Sequence, residues 1–141
     1  IRTPLSQSFP RVTLNKGGKD GIQKGMKATL DNAILIGFVE EVFADSSTIR
    51  MLSSFNIETH VTLSSAQTLV LAKGIGGGAL GIVLPRDFPI IQGDHLIVRD
   101  TIPLLAGIIE TISANGAEST QTVKALIPFN PRELFHVTLV P

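Results

Sequence analysis

Short runs in which apolar and polar residues alternate, separated by glycine, proline and asparagine, follow one another along the whole chain. Arg11-Val12-Thr13-Leu14 alternates and then meets Asn15-Lys16-Gly17-Gly18-Lys19-Asp20-Gly21, a dense turn signal. After Ile22 to Gly25, Lys27-Ala28-Thr29-Leu30 and Ala33 to Val42 flank Asp31-Asn32, the layout of a hairpin. Further strands are predicted at 48–52, 57–63, 68–72, 79–84, 95–98, 104–112, 122–127 and 135–140. In the segment from Ile57 to Leu63, Ile57, Thr59, Val61 and Leu63 share one face. Gly37 and Gly107 interrupt long apolar strands, which predicts a bulge or a barrel corner at each. Asn130-Pro131-Arg132-Glu133 has a cap, a first-turn proline and a glutamate at capping-box spacing, so one short helical turn is expected near the C-terminus.

Composition points the same way. Sixteen Ile, ten Val and twelve Thr among 141 residues are stiff at χ1 and fit a pleated surface better than a helix. Two stretches share a layout of turn glycine, strand, tight turn and strand with a central glycine. One runs from Ile22-Gln23-Lys24-Gly25-Met26 to Val42, the other from Ile91-Gln92-Gly93-Asp94 to Ile112. The expected fold is all-β: two small six-stranded barrels in tandem, with residues 1–10 a tail or linker, 11–66 the first barrel and 67–141 the second. Gly17, Gly21, Gly25, Gly37, Gly93, Asp94, Gly107 and Pro131 are the positions expected to shape its turns and bulges.

Twelve basic and twelve acidic side chains cancel, which removes the signature of a general nucleic-acid binder. The cancellation is uneven. Residues 1–27 carry Arg2, Arg11, Lys16, Lys19, Lys24 and Lys27 against Asp20, whereas residues 28–60 carry Arg50 against Asp31, Glu40, Glu41, Asp45 and Glu58. Such lobes can steer a partner or meet anionic headgroups, but loop lysines that keep strand edges from aggregating are the preferred reading. There is no Trp or Tyr to interleave with the basic positions as a base-stacking platform.

Candidate chemistry is thin. The chain has no Cys, so disulfides, thiolate ligands and thiol nucleophiles are excluded. His60, His95 and His136 lack the spacing of a metal site, and no carboxylate run has that of a calcium loop. Gly76-Gly77-Gly78-Ala79-Leu80-Gly81 fits the dinucleotide glycine pattern, but Ile82-Val83-Leu84-Pro85 continues as strand where that motif needs a helix. No glycine-flanked serine stretch builds a nucleophile and its oxyanion donors. Neither an enzyme nor a cofactor is expected. The chain begins at Ile1, with no leader and no apolar run long enough to span a bilayer, so any anchor is expected upstream.

An ordered series of segments resembles the extracytoplasmic β domain of the rod shape-determining MreC family. It comprises Val12-Thr13-Leu14-Asn15-Lys16-Gly17, Asp20-Gly21-Ile22-Gln23-Lys24-Gly25-Met26, Ile36-Gly37-Phe38-Val39 and Ser46-Ser47-Thr48-Ile49-Arg50-Met51-Leu52. Lys73-Gly74, Ile91-Gln92-Gly93-Asp94 and Pro131 with Leu134 and Val137 complete it, across residues 11–140. Arg99-Asp100-Thr101-Ile102-Pro103 is shorter than the segment usual in that family. The resemblance implies two small barrels with a membrane anchor and coiled coil upstream. It also implies a non-enzymatic scaffold of cell elongation on the periplasmic side of the cytoplasmic membrane. The partners it implies are a class B penicillin-binding protein (a peptidoglycan transpeptidase), MreD, the MreB filament and further copies of the chain. An adaptor barrel of a secretion or efflux assembly is the alternative.

Overall fold

A computed structural model describes residues 2–8, 11–114 and 119–141. It is all-β. The described residues form twelve strands: β1 (Arg2–Ser8), β2 (Arg11–Leu14), β3 (Lys27–Leu30), β4 (Ile34–Val42), β5 (Ser47–Met51), β6 (Glu58–Leu63), β7 (Thr68–Gly76), β8 (Ala79–Pro85), β9 (His95–Arg99), β10 (Pro103–Ala114), β11 (Thr120–Leu126) and β12 (His136–Val140). Two single 3-10 turns, Gly18–Asp20 and Pro131–Glu133, are the only helical pieces among the described residues.

The chain divides into two compact units, Ile1–Leu52 with Phe129–Pro141, and Ser53–Pro128. In unit 1 every strand pairs antiparallel with two others, in the ring β1, β2, β5, β4, β3, β12 and back to β1. Val12, Leu14, Leu35, Ile36, Ile49, Met51, Val137 and Leu139 are buried there. In unit 2 the ring runs β7, β8, β11, β10, β9, β6 and back to β7. Val61, Leu63, Leu80, Ile82, Leu96, Leu104, Ile109 and Val123 are its buried set. Closing each sheet on itself leaves neither ring a free edge, which suits strands with few charges to protect one.

The two rings share one connectivity: β1 to β5 match β7 to β11 in order, and β12 matches β6. The repeat seen in the sequence extends to individual hydrogen bonds. The Gly25 N–H donates to Val39 O at 2.9 Å and the Val39 N–H returns to Met26 O at 2.9 Å; the Gly93 N–H donates to Ile109 O and the Ile109 N–H to Asp94 O, both at 2.9 Å. Register shifts fall at matching places, beside Gly37 and beside Gly107, and again between Val39 and Glu41 and between Ile109 and Thr111.

Two expected boundaries are corrected. Within the expected tail 1–10, Arg2–Ser8 is a strand paired on both sides; Pro4 and the polar residues around it disguise a strand one of whose partners, β12, lies far away in sequence. Nor does a division fall at 66/67. Residues 64–67 form the turn between β6 and β7, which share six register pairs inside unit 2. The second unit gives up its last strand, since β12 returns to unit 1 to pair with β1 and β3.

Candidate functional site

The residues singled out by sequence sit at turns and close approaches. Gly17 lies against the segment before β5, where an added Cβ would fall 2.1 Å from Phe43 O. Its N–H donates to Asp20 Oδ2 at 3.1 Å. Gly21, Gly25 and Gly93 have φ of 87°, 90° and 87°, the left-handed region that only glycine enters without strain. Gly37 passes β5 so closely that a Cβ would lie 2.1 Å from Arg50 O, whereas at Gly107 the nearest atom would be Leu126 O at 3.3 Å. Asp94 receives the Ser65 N–H at 3.1 Å and the Ser65 hydroxyl at 2.6 Å, tying the β6–β7 turn to the start of β9. Pro131 opens the second 3-10 turn, and Asn130 Oδ1 accepts the Arg132 N–H at 3.0 Å.

These positions shape backbone and bring no reactive groups together. His60, His95 and His136 each begin or sit on a different strand with exposed side chains. Among the described residues no group of three His, Asp or Glu is placed to hold a metal ion. Gly76, Gly77 and Gly78 all have positive φ and turn β7 into β8 as a hairpin. A cavity of about 190 Å³ in unit 1 is lined by Leu30, Asp31, Glu133, Phe135, His136 and Thr138. Its ionisable side chains, Asp31, Glu133 and His136, are exposed. The basic and acidic segments meet where Lys19 pairs with Asp45, and within the acidic segment Arg50 Nη1 lies 3.6 Å from Glu40 Oε1.

The surface feature that sequence reading missed is on the outside of unit 2. Strand β7 turns its small residues inward, with Ala72 and Gly74 buried, and its large ones outward: Leu69 is 64% exposed, Leu71 43% and Ile75 45%. Val83 on β8 is 68% exposed on the same outward parity as Gly81, over which the Ile75 side chain lies. The neighbouring rows are polar: Leu69 faces Thr62, Leu71 faces His60, Lys73 faces Glu58, and Val83 faces Thr122. The outward row of β7 is therefore aliphatic with Lys73 between Leu71 and Ile75, and hydroxyl-bearing and charged residues flank it. Its signal in the sequence was the order of sizes in Leu69-Val70-Leu71-Ala72-Lys73-Gly74-Ile75, where the larger apolar residues alternate with the smaller set that faces inward.

Comparison with known proteins places this geometry. Among curated proteins no sequence matches. The crystal structure of MreC from Pseudomonas aeruginosa superposes with a TM-score of 0.90 at 19% identity, covering 100% of this chain and 98% of that one. A second MreC structure also gives 0.90, at 18% identity over 100% of this chain and 86% of its own. MreC from Listeria monocytogenes gives 0.80 at 21% identity, over 99% and 73%. At these identities the structures establish a shared fold. The family model for the barrel core of rod shape-determining protein MreC matches residues 1–141, the whole chain, and the chain therefore belongs to the MreC family of rod shape-determining proteins.

Proposed function

We propose that this chain is a non-enzymatic scaffold of cell elongation, positioned outside the cytoplasmic membrane, that binds a peptidoglycan transpeptidase of the class B penicillin-binding type. The observation that carries this reading is the outward row Leu69, Leu71, Ile75 and Val83. Burying large aliphatic side chains at about 25 cal/mol per Å2 gives a partner a non-directional driving force, and the flanking His60, Thr62 and Thr122 give it polar anchors. The periplasmic location is supported by a relative with a TM-score of 0.76, a structure described as the major periplasmic domain of the cell shape-determining filament MreC. MreD, the MreB filament and further copies of the chain belong to the same proposal as partners of the family.

The test is binding of the chain to the non-catalytic region of the transpeptidase, measured by calorimetry or pull-down. Leu71→Glu and Val83→Glu, both on outward positions, are expected to weaken binding at least tenfold while leaving the unfolding midpoint unchanged. Binding that is equal for both variants and the parent overturns the assignment of the surface. No binding by the parent overturns the partner.

A further inference from the structure

The strands that complete the two rings are β6 and β12, and they carry the same tetrapeptide. Residues 60–63 read His-Val-Thr-Leu, and so do residues 136–139. The match is structural as well. Val61 and Leu63 are buried, as are Val137 and Leu139, while His60 and His136 are exposed. Thr62 pairs with Leu69 on one side and Ile97 on the other; Thr138 pairs with Arg2 and Thr29. Leu63 pairs with Leu96, as Leu139 does with Ala28. Each repeat therefore ends in the same strand, and each ring is closed by the strand that ends the other repeat.

We propose that β12 is an exchangeable strand, and that the slot between β1 and β3 accepts the β12 of a second copy of this chain in place of its own. The occupant follows from the fold. The slot selects an antiparallel strand with two inward aliphatic residues two apart, and a neighbouring copy offers that strand with identical sequence and register. The attachment is short: three register pairs to β1 and three to β3, against seven between β8 and β11. One of the β1 pairs involves Pro4, which has no N–H to donate. The connection from β11 is residues 127–135, containing Pro128 and Pro131 and anchored by buried Leu134. Fully extended it reaches about 30 Å, enough to cross to an adjacent molecule. Exchange already relates the two repeats within one chain, so exchange between copies changes only which linker crosses.

The experiment uses residues 1–141 and reads amide hydrogen exchange strand by strand. In Leu139→Ala, amides of β2, β4 and β5 are expected to exchange on the order of a hundredfold faster while those of β7, β8 and β11 keep their protection. A peptide of residues 134–141, and equally one of residues 58–65, restores slow exchange in unit 1; a peptide of residues 134–141 carrying Leu139→Asp does not. The second arm mixes a Leu139→Asp chain, which lacks a usable β12, with an Ile49→Asp chain, which has an intact β12 but a spoiled unit 1. A mixed dimer in which unit 1 of the first chain regains protection supports exchange between copies. Failure of both peptides on the Leu139→Ala chain overturns the slot, and absence of the mixed dimer overturns the second copy as its occupant.

Discussion

Replacing Gly37 with alanine tests whether the bulge in β4 is built around a missing side chain. Gly37 lies outside the left-handed region, so the need for glycine there is steric alone. The added Cβ would stand 2.1 Å from Arg50 O, 2.8 Å from Arg50 C and 3.0 Å from Met51 Cα, all backbone atoms of β5. Ordinary contact with an oxygen needs more than 3 Å, so β5 must retreat by about 1 Å, in the range where packed interiors resist strongly. That movement strains the pairing of Gly37 with Met51 and of Phe38 with Arg50, and the 3.1 Å bond from the Leu52 N–H to Ile36 O. Overpacking against rigid backbone costs about 3 kcal/mol, less about 0.4–1 kcal/mol returned because alanine has a less disordered unfolded state. A net loss of about 2–3 kcal/mol is a large share of the few to about 10 kcal/mol available to a unit of this size. Gly107→Ala is the internal control: its Cβ meets Leu126 O at 3.3 Å and the Leu80 and Leu96 side chains at 3.4 Å, so a few tenths of an ångström suffice and the change stays within about 1 kcal/mol. With no Trp or Tyr in the chain, urea unfolding followed by far-UV circular dichroism is the readout. Equal stabilities for the two variants, or a weaker Gly107→Ala, refute the steric argument.

Asp94→Ala removes the acceptor of the Ser65 N–H and hydroxyl, and a loss of about 1–2 kcal/mol should appear as faster exchange at residues 64–67. Gln121 is buried and its Nε2 donates to Pro85 O at 3.0 Å and Phe88 O at 2.8 Å. Gln121→Leu should cost about 1–3 kcal/mol and speed proteolysis between residues 85 and 93, because Phe88 O loses this donor and Pro85 O keeps only the Phe88 N–H. Thr29 is fully buried with Oγ1 donating to Thr138 O at 2.9 Å, so Thr29→Val should loosen β12 by about 1 kcal/mol, seen as faster exchange at residues 137–140 with β6 unaffected.

What the sequence revealed was local. In β6, buried Thr59, Val61 and Leu63 alternate with the more accessible Glu58, His60 and Thr62, and that period is written in the residues themselves. The glycines at 21, 25 and 93 are legible for the same reason, since a positive φ makes a demand on one residue at a time. Pairing between distant strands has no such local mark. Nothing in Arg2–Ser8 announces that its partners are β2 and the far strand β12, and Pro4 argues against a strand at all. The outward stripe was hidden because alternation identifies two faces without saying which is inside. In β7 the ring takes Ala72 and Gly74 and turns Leu69, Leu71 and Ile75 to solvent, against the hydrophobic order. The shared His-Val-Thr-Leu was fully visible, but only a comparison of strand ends across the repeat gives it meaning.

The exchange of closing strands makes the units unequal in folding, although their rings are alike. Unit 2 is one continuous stretch, Ser53–Pro128, and the pairings that close its ring all lie within it. Unit 1 closes only through bonds such as Thr29 Oγ1 to Thr138 O, 109 residues apart, and Lys27 Nζ to Pro141 O, 114 apart. Closing a longer loop costs more entropy, by about 0.6 kcal/mol per doubling, and non-local β pairing is slow because that cost precedes its reward. Folding of the tethered unit 2 shortens the effective loop for unit 1, since it brings the two ends of residues 53–128 into one compact body. Unit 2 should therefore fold first and unit 1 second. Pulsed hydrogen exchange during refolding is expected to show β7, β8 and β11 protected in an earlier phase than β2, β4 and β5. Simultaneous protection, or unit 1 leading, would mean that β1 to β5 hold together without β12, and the ring closure would then contribute little to the stability of unit 1.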